Sequence, residues 1–288
     1  MNNMLLKAAF AVLAMLAWST GYAQSANFPN GNVRIVANVA YGSNPLQTFN
    51  VYMPKTPTQN APVILMVHGG GWFQGDKADT PVVQNKVKRW LPAGFIFISV
   101  NYPLMPQTNP LQQAQNVAQA LAYAQQHAAD WGGDPNKFIL MGFSAGAHLV
   151  SLISAEPSMA TSLGALPWLG TVALDSAAYD IPEIMAHSHP AVYDEAFGTN
   201  VDLWNAASPT LQLKSRIAPF MAVCTSQESH LSSQDLDFIT KANGLGTQTR
   251  LLQVDLTHAE IDADLGLPSD YTNKVTSFIV ALKNGVTQ

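Results

Sequence analysis

Apolar positions in this chain alternate between two textures. Short runs rich in Val, Ile, Leu and Phe occur near residues 33–39, 47–53, 62–67, 95–101, 137–143, 170–175, 218–225 and 249–255. Longer stretches with apolar residues at helical spacing lie near 79–91, 110–129, 145–155, 232–243 and 268–283. Runs such as Pro62-Val63-Ile64-Leu65-Met66-Val67 show no polar alternation, the pattern of a strand buried on both faces. Gln112 to His127 is Ala/Gln-rich and places Val117, Leu121 and Tyr123 on one helical face, which predicts a helix packed on a sheet. Strands alternating with helices of this size predict an α/β domain: a mostly parallel central sheet with helices on both faces. No repeat or low-complexity linker divides the pattern, so residues 24–288 read as a single domain.

Two segments depart from the alternation. Residues 176–216 are irregular and carry Tyr179-Asp180, His187-Ser188-His189-Pro190 and Trp204-Asn205-Ala206-Ala207-Ser208-Pro209. This insertion is expected to form a small cap. At the other extreme, residues 1–23 combine Lys7, an apolar run from Ala8 to Trp18 and the small-residue site Gly21-Tyr22-Ala23. That is the pattern of a signal peptide cut after Ala23, which predicts a secreted or periplasmic protein. The apolar run is shorter than the ~20 residues a spanning helix needs, so stable membrane insertion is not expected.

Composition narrows the classes further. Of 288 residues, 48% are hydrophobic and 11% charged, and the net charge is −5 with no basic run. Nucleic acid is therefore not an expected partner. Cys224 is the single cysteine, so the fold is held by packing without an internal disulfide. Its neighbours Pro219-Phe220-Met221-Ala222-Val223 mark it as a buried structural thiol.

The chemistry concentrates at two glycine-bearing turns. The run Lys137-Phe138-Ile139-Leu140-Met141 leads into Gly142-Phe143-Ser144-Ala145-Gly146 and then a helix-like stretch. Strand, Gly-x-Ser-x-Gly and helix in succession is the pattern of a nucleophile elbow, in which Ser144 sits on a turn too tight for bulky neighbours. Upstream, the strand ending at Val67 runs into His68-Gly69-Gly70-Gly71-Trp72. Consecutive glycines let backbone N–H groups approach a reacting oxygen, as an oxyanion hole requires.

With these residues the chain resembles α/β-hydrolase fold carboxylesterases, close to bacterial esterases with an HGGGW loop and a GxSAG elbow. That group is related to kynurenine formamidase-like and feruloyl-esterase-like hydrolases. The resemblance rests on His68 to Lys77 and Gly142 to His148, with Tyr41-Gly42, Asn50 to Pro54 and Asn101-Tyr102-Pro103 in support. It implies a serine carboxylic-ester hydrolase acting on small or aryl esters through an acyl-enzyme, with no cofactor and no metal. A small-molecule ester is then the expected partner.

The family's order of serine, acid and histidine makes His258, after the strand Leu251 to Asp255, the expected base. Gly70, Gly71 and Ala145 are the expected oxyanion donors, and Trp72 a candidate wall of the substrate pocket. The acid is expected after the strand Phe220 to Cys224. That loop reads Thr225-Ser226-Gln227-Glu228-Ser229-His230 and holds no aspartate, which favours Glu228. Asp235 is the second candidate, otherwise a solvated surface charge like Asp237, and Asp175 and Asp180 stand further out. His187-x-His189 has too few companions for a metal site. An amidase or formamidase using the same triad, or a silent binding protein on the same fold, are the alternative classes.

Overall fold

The computed structural model describes residue 28 and residues 33–176, 178–227 and 231–285. The expected signal peptide and Glu228 lie outside the described residues. Eight strands form one sheet: β1 (Val33–Ala40), β2 (Thr48–Pro54), β3 (Ala61–Val67), β4 (Ile96–Val100), β5 (Gly133–Phe143), β6 (Gly170–Leu174), β7 (Phe220–Thr225) and β8 (Thr249–Val254). Their order is β1-β2-β4-β3-β5-β6-β7-β8. The β1–β2 and β2–β4 pairs are antiparallel, and every later pair is parallel.

Helices cover both faces, and the alternation of side chains along β3 shows how. Val63, Leu65 and Val67 face a core shared with α2 (Pro110–Gln126) and α3 (Ala145–Ala155). Ile64 and Met66 face the opposite core, built with α1 (Thr80–Trp90) and the C-terminal helix Asp270–Lys283. Every residue of β3, β4 and β6 is buried, as the unbroken apolar runs predict. The start of α2 is fixed by a capping box: the Asn109 side chain accepts from the Gln112 N–H, and the Gln112 side chain accepts from the Asn109 N–H.

After α4 (Ser158–Thr161), the irregular segment between β6 and β7 folds as four short helices: α5 (Ile181–Ala186), α6 (Ala191–Phe197), α7 (Val201–Ala206) and α8 (Pro209–Gln212). Each is too short to be read from periodicity, but three start on a side-chain or proline signal. The Asp180 side chain accepts from the Glu183 N–H, Asn200 accepts from Asp202 and Leu203, and Pro209 opens α8. The segment is tied down by Phe197 and Ala207, both buried in the core that also holds Trp72 and α3. After β7 come α9 (Leu231–Gly244), β8, α10 (His258–Ala263) and α11 (Asp270–Lys283). No helix of the described residues is long and apolar enough to cross a membrane.

Candidate active site

Ser144 joins β5 to α3 with φ 52° and ψ −119°, a conformation that non-glycine residues seldom hold. The strain is fixed by close packing on either side. A Cβ on Gly142 would sit 2.3 Å from the Gly146 carbonyl oxygen, and one on Gly146 would sit 2.2 Å from that of Val67. Glycine at both positions is therefore a steric requirement of the turn. The Ser144 N–H donates to the Leu174 carbonyl at 2.9 Å, which anchors the turn to the end of β6.

The His258 imidazole bridges two groups. Its Nε2 lies 3.0 Å from Ser144 Oγ, and its Nδ1 lies 2.6 Å from Asp175 Oδ2. His258 is the first residue of α10, after Thr257, whose side chain accepts from the Glu260 N–H while Glu260 accepts from the Thr257 N–H. A further tie runs from Thr225 Oγ1 to the Leu256 carbonyl at 2.7 Å, holding the histidine segment to the end of β7.

Asp175 is thus the carboxylate on the histidine Nδ1, where the sequence favoured Glu228, a residue outside the described ones. The correction has a simple geometric cause: β6 and β7 are adjacent parallel strands, so an acid at the carboxyl end of either reaches the same imidazole. Asp175 leaves β6 at φ 53° and leans over β7, its N–H donating to the Val223 carbonyl at 2.7 Å. Its Oδ1 accepts from the Thr225 N–H at 2.9 Å, and it is 3% exposed. Both oxygens are therefore committed.

Asp235 also departs from expectation, because it is fully buried where a solvated charge was predicted. Asp235, Phe238, Ile239 and Ala242 share one stripe of α9, and the three apolar residues pin that stripe to the sheet. Leu236 is left outside, 51% exposed. The buried Tyr179 hydroxyl lies beside the Asp235 carboxyl. Burial pushes the Asp235 carboxyl well above the usual range; Tyr179 only partly offsets this, and the Asp175 charge adds to it.

The raised pKa of Asp235 has a consequence for stability. Its folded-state pKa is raised, so its contribution is whole below the unfolded value, roughly 4, and is lost as pH rises toward the folded value. Asp235→Asn is expected to raise Tm relative to the parent chain at pH 8 and to change it little at pH 4. Thermal unfolding followed by circular dichroism at both pH values decides this, and an equal shift at both would refute it. Cys224, also fully buried, has its thiol pushed up to about 12, chiefly by burial, which suits a structural role.

The glycine loop after β3 faces the elbow. Gly70, Gly71 and Trp72 all have positive φ, 109°, 60° and 70°. A Cβ on Gly70 would sit 2.0 Å from the Gln74 carbonyl oxygen, so glycine is required there. His68 braces the loop: its Nδ1 bonds the Gly69 carbonyl at 2.7 Å, its ring stacks on Tyr102 at 4.6 Å, and the Tyr102 hydroxyl donates to the His68 carbonyl. Trp72 is 4% exposed, its Nε1 donating to His148 Nδ1 at 3.2 Å. That bond leaves the His148 proton on Nε2, which donates to the Ala207 carbonyl of the segment between β6 and β7 at 2.7 Å. Burial pushes His148 down to about 4, so the ring stays neutral as this bridge requires. The sequence signal for it was the spacing of His148, one helical turn beyond Ser144.

The chain is similar to known proteins in sequence and in fold. Residues 49–163 match the BD-FAE family. Esterase LipQ of Mycobacterium tuberculosis is 30% identical over 178 residues, covering 58% of this chain and 42% of LipQ. A probable isoprenylcysteine alpha-carbonyl methylesterase of Oryza sativa is 28% identical over 161 residues, covering 54% of this chain and 38% of that protein. The matched region is thus less than half of either relative. Among solved structures, esterase B from Lactobacillus rhamnosis superposes with TM-score 0.73 at 19% identity, covering 98% of this chain and 94% of its own. A truncated carbohydrate esterase from gut microbiota gives 0.74 at 18% identity, covering 91% and 100%. At such identities the likeness speaks for the fold.

Proposed function

We propose that this chain, an α/β-hydrolase by fold, is a serine carboxylic-ester hydrolase that turns over small or aryl esters through an acyl-enzyme. The observation that carries the proposal is the imidazole of His258 held between Ser144 Oγ and Asp175 Oδ2. With Asp175 accepting the Nδ1 proton, Nε2 is left as an acceptor facing the serine hydroxyl. Ser144 attacks the ester carbonyl as its proton passes to Nε2, and the carbonyl oxygen becomes an oxyanion. The N–H groups of Gly70, Gly71 and Ala145 are the donors for that charge; each such donor is worth about 3 kcal/mol in the transition state. His258 then protonates the departing alcohol and afterwards draws a proton from water, which releases the acid and restores Ser144.

The esterase names among the relatives support the ester as substrate, and esterase B has been captured with a tributyrin phosphonate inhibitor. The test is labelling with a fluorophosphonate. The chain is expected to gain one phosphonyl adduct on the peptide carrying Ser144, and to lose p-nitrophenyl acetate hydrolysis in step with it. Hydrolysis that persists in fully exposed, unlabelled protein would overturn the serine mechanism.

A further inference from the structure

The side of Ser144 on which each half of an ester lies follows from the sheet order. β3 flanks β5 on one side, and β6, β7 and β8 lie on the other. His258 and Asp175 come from the β6–β8 side, whereas the glycine loop follows β3. The leaving alcohol must take its proton from His258 Nε2, so it lies on the β6–β8 side. The carbonyl oxygen lies on the other side, at the glycine loop, and the acyl chain, bonded to the same carbon, runs from there past that loop toward the segment between β6 and β7.

That direction is closed by α6. A Cβ built on Gly71 would lie 3.2 Å from Val192 Cγ2, so the valine sits directly over this glycine. The helix bearing it is pinned by aromatic contacts. Phe197 meets the Trp72 ring edge-on at 5.0 Å and the His148 ring at 5.8 Å, and Tyr193 meets Trp72 at 5.8 Å. Val192 is half-buried and packs against the same core. Its β-branched side chain has few rotamers with which to step aside.

From this placement we infer that Val192 is the specificity-determining residue for acyl length, holding the site to acetyl- and propionyl-sized groups. The inference rests on the esterase reading above. A substrate whose carbonyl oxygen reaches the Gly71 N–H at about 3 Å brings its first acyl carbons into the space beneath Val192. Further methylenes then meet a fixed branched side chain on a pinned helix. The chemical class implied is an ester of a short, unbranched acid; the alcohol, on the His258 side, is not restricted by this residue.

The experiment compares kcat/KM for p-nitrophenyl acetate, butyrate and hexanoate in the parent chain, Val192→Ala and Val192→Thr. A parallel series of acetates varies the alcohol. Val192→Ala is expected to raise the hexanoate-to-acetate ratio ~10-fold or more, the scale on which hydrophobic pockets discriminate methylenes. Val192→Thr, equal in shape but polar, is expected to keep the parent ratio, which separates a steric limit from a polarity effect. An unchanged ratio in Val192→Ala, with acetate hydrolysis intact, overturns the assignment while leaving the esterase reading standing. A shift in the alcohol series alone overturns it as well. Absence of hydrolysis of every ester by the parent chain overturns both.

Discussion

Ser144→Ala is expected to lower kcat for p-nitrophenyl acetate by about 10⁶, the scale seen when a triad nucleophile is removed. The hydroxyl is the only atom lost, and it is the one facing His258 Nε2 at 3.0 Å. Glycine loop and imidazole remain, so residual hydrolysis by water held against the oxyanion donors is expected to persist at a low level. The fold should not suffer. Alanine carries the same backbone strain at φ 52° that serine already carries, and the lost hydrogen bond is solvent-exposed. His258→Ala should cost nearly as much, and the double variant little more than either, because nucleophile and base act as one unit. Steady-state kinetics with a matched Tm check this. Parent-level activity in a folded Ser144→Ala protein would remove the serine from the mechanism.

The parts of the fold legible in the sequence are those whose signal is local. The inner strands β3, β4, β6 and β7 are buried along their whole length, the edge strands β1 and β8 are short β-rich runs left partly exposed, and each long helix has its own apolar stripe. The elbow was legible for the same reason, since Gly142 and Gly146 are dictated by carbonyl contacts within a few ångströms of the turn. The helices α5 to α8 between β6 and β7 were not. At four to seven residues they have no period to display, and packing on Trp72, His148 and α3 decides their course. Asp235 was misread because a helix with Leu236 exposed has its rotation set by Phe238, Ile239 and Ala242 rather than by its most polar face. The acid was misread for a different reason. Which of two neighbouring parallel strands supplies a carboxylate is a matter of register across the sheet, and nothing within the loop after β7 reports on β6.

Asp175→Asn is expected to lower turnover about 10⁴-fold with the fold preserved, the effect of leaving a triad histidine in the wrong tautomer. The two oxygens of Asp175 accept from two different donors, the Thr225 N–H at 2.9 Å and His258 Nδ1 at 2.6 Å. An asparagine has one oxygen and one NH₂ in their place. With its oxygen kept on Thr225, the NH₂ faces Nδ1, which must then accept. The imidazole proton is driven to Nε2, and a protonated Nε2 cannot take the proton of Ser144. Turning the amide the other way sets its NH₂ against the Thr225 N–H, two donors 2.9 Å apart in a site that is 3% exposed. The first arrangement therefore wins, and the enzyme is silenced without being unfolded. Glu228→Gln is expected to leave turnover close to the parent value, since the Nδ1 position is already occupied. Pre-steady-state acylation rates on both variants, beside thermal unfolding, make the comparison. A steep loss in Glu228→Gln with Asp175→Asn near normal would return the acid to the loop after β7.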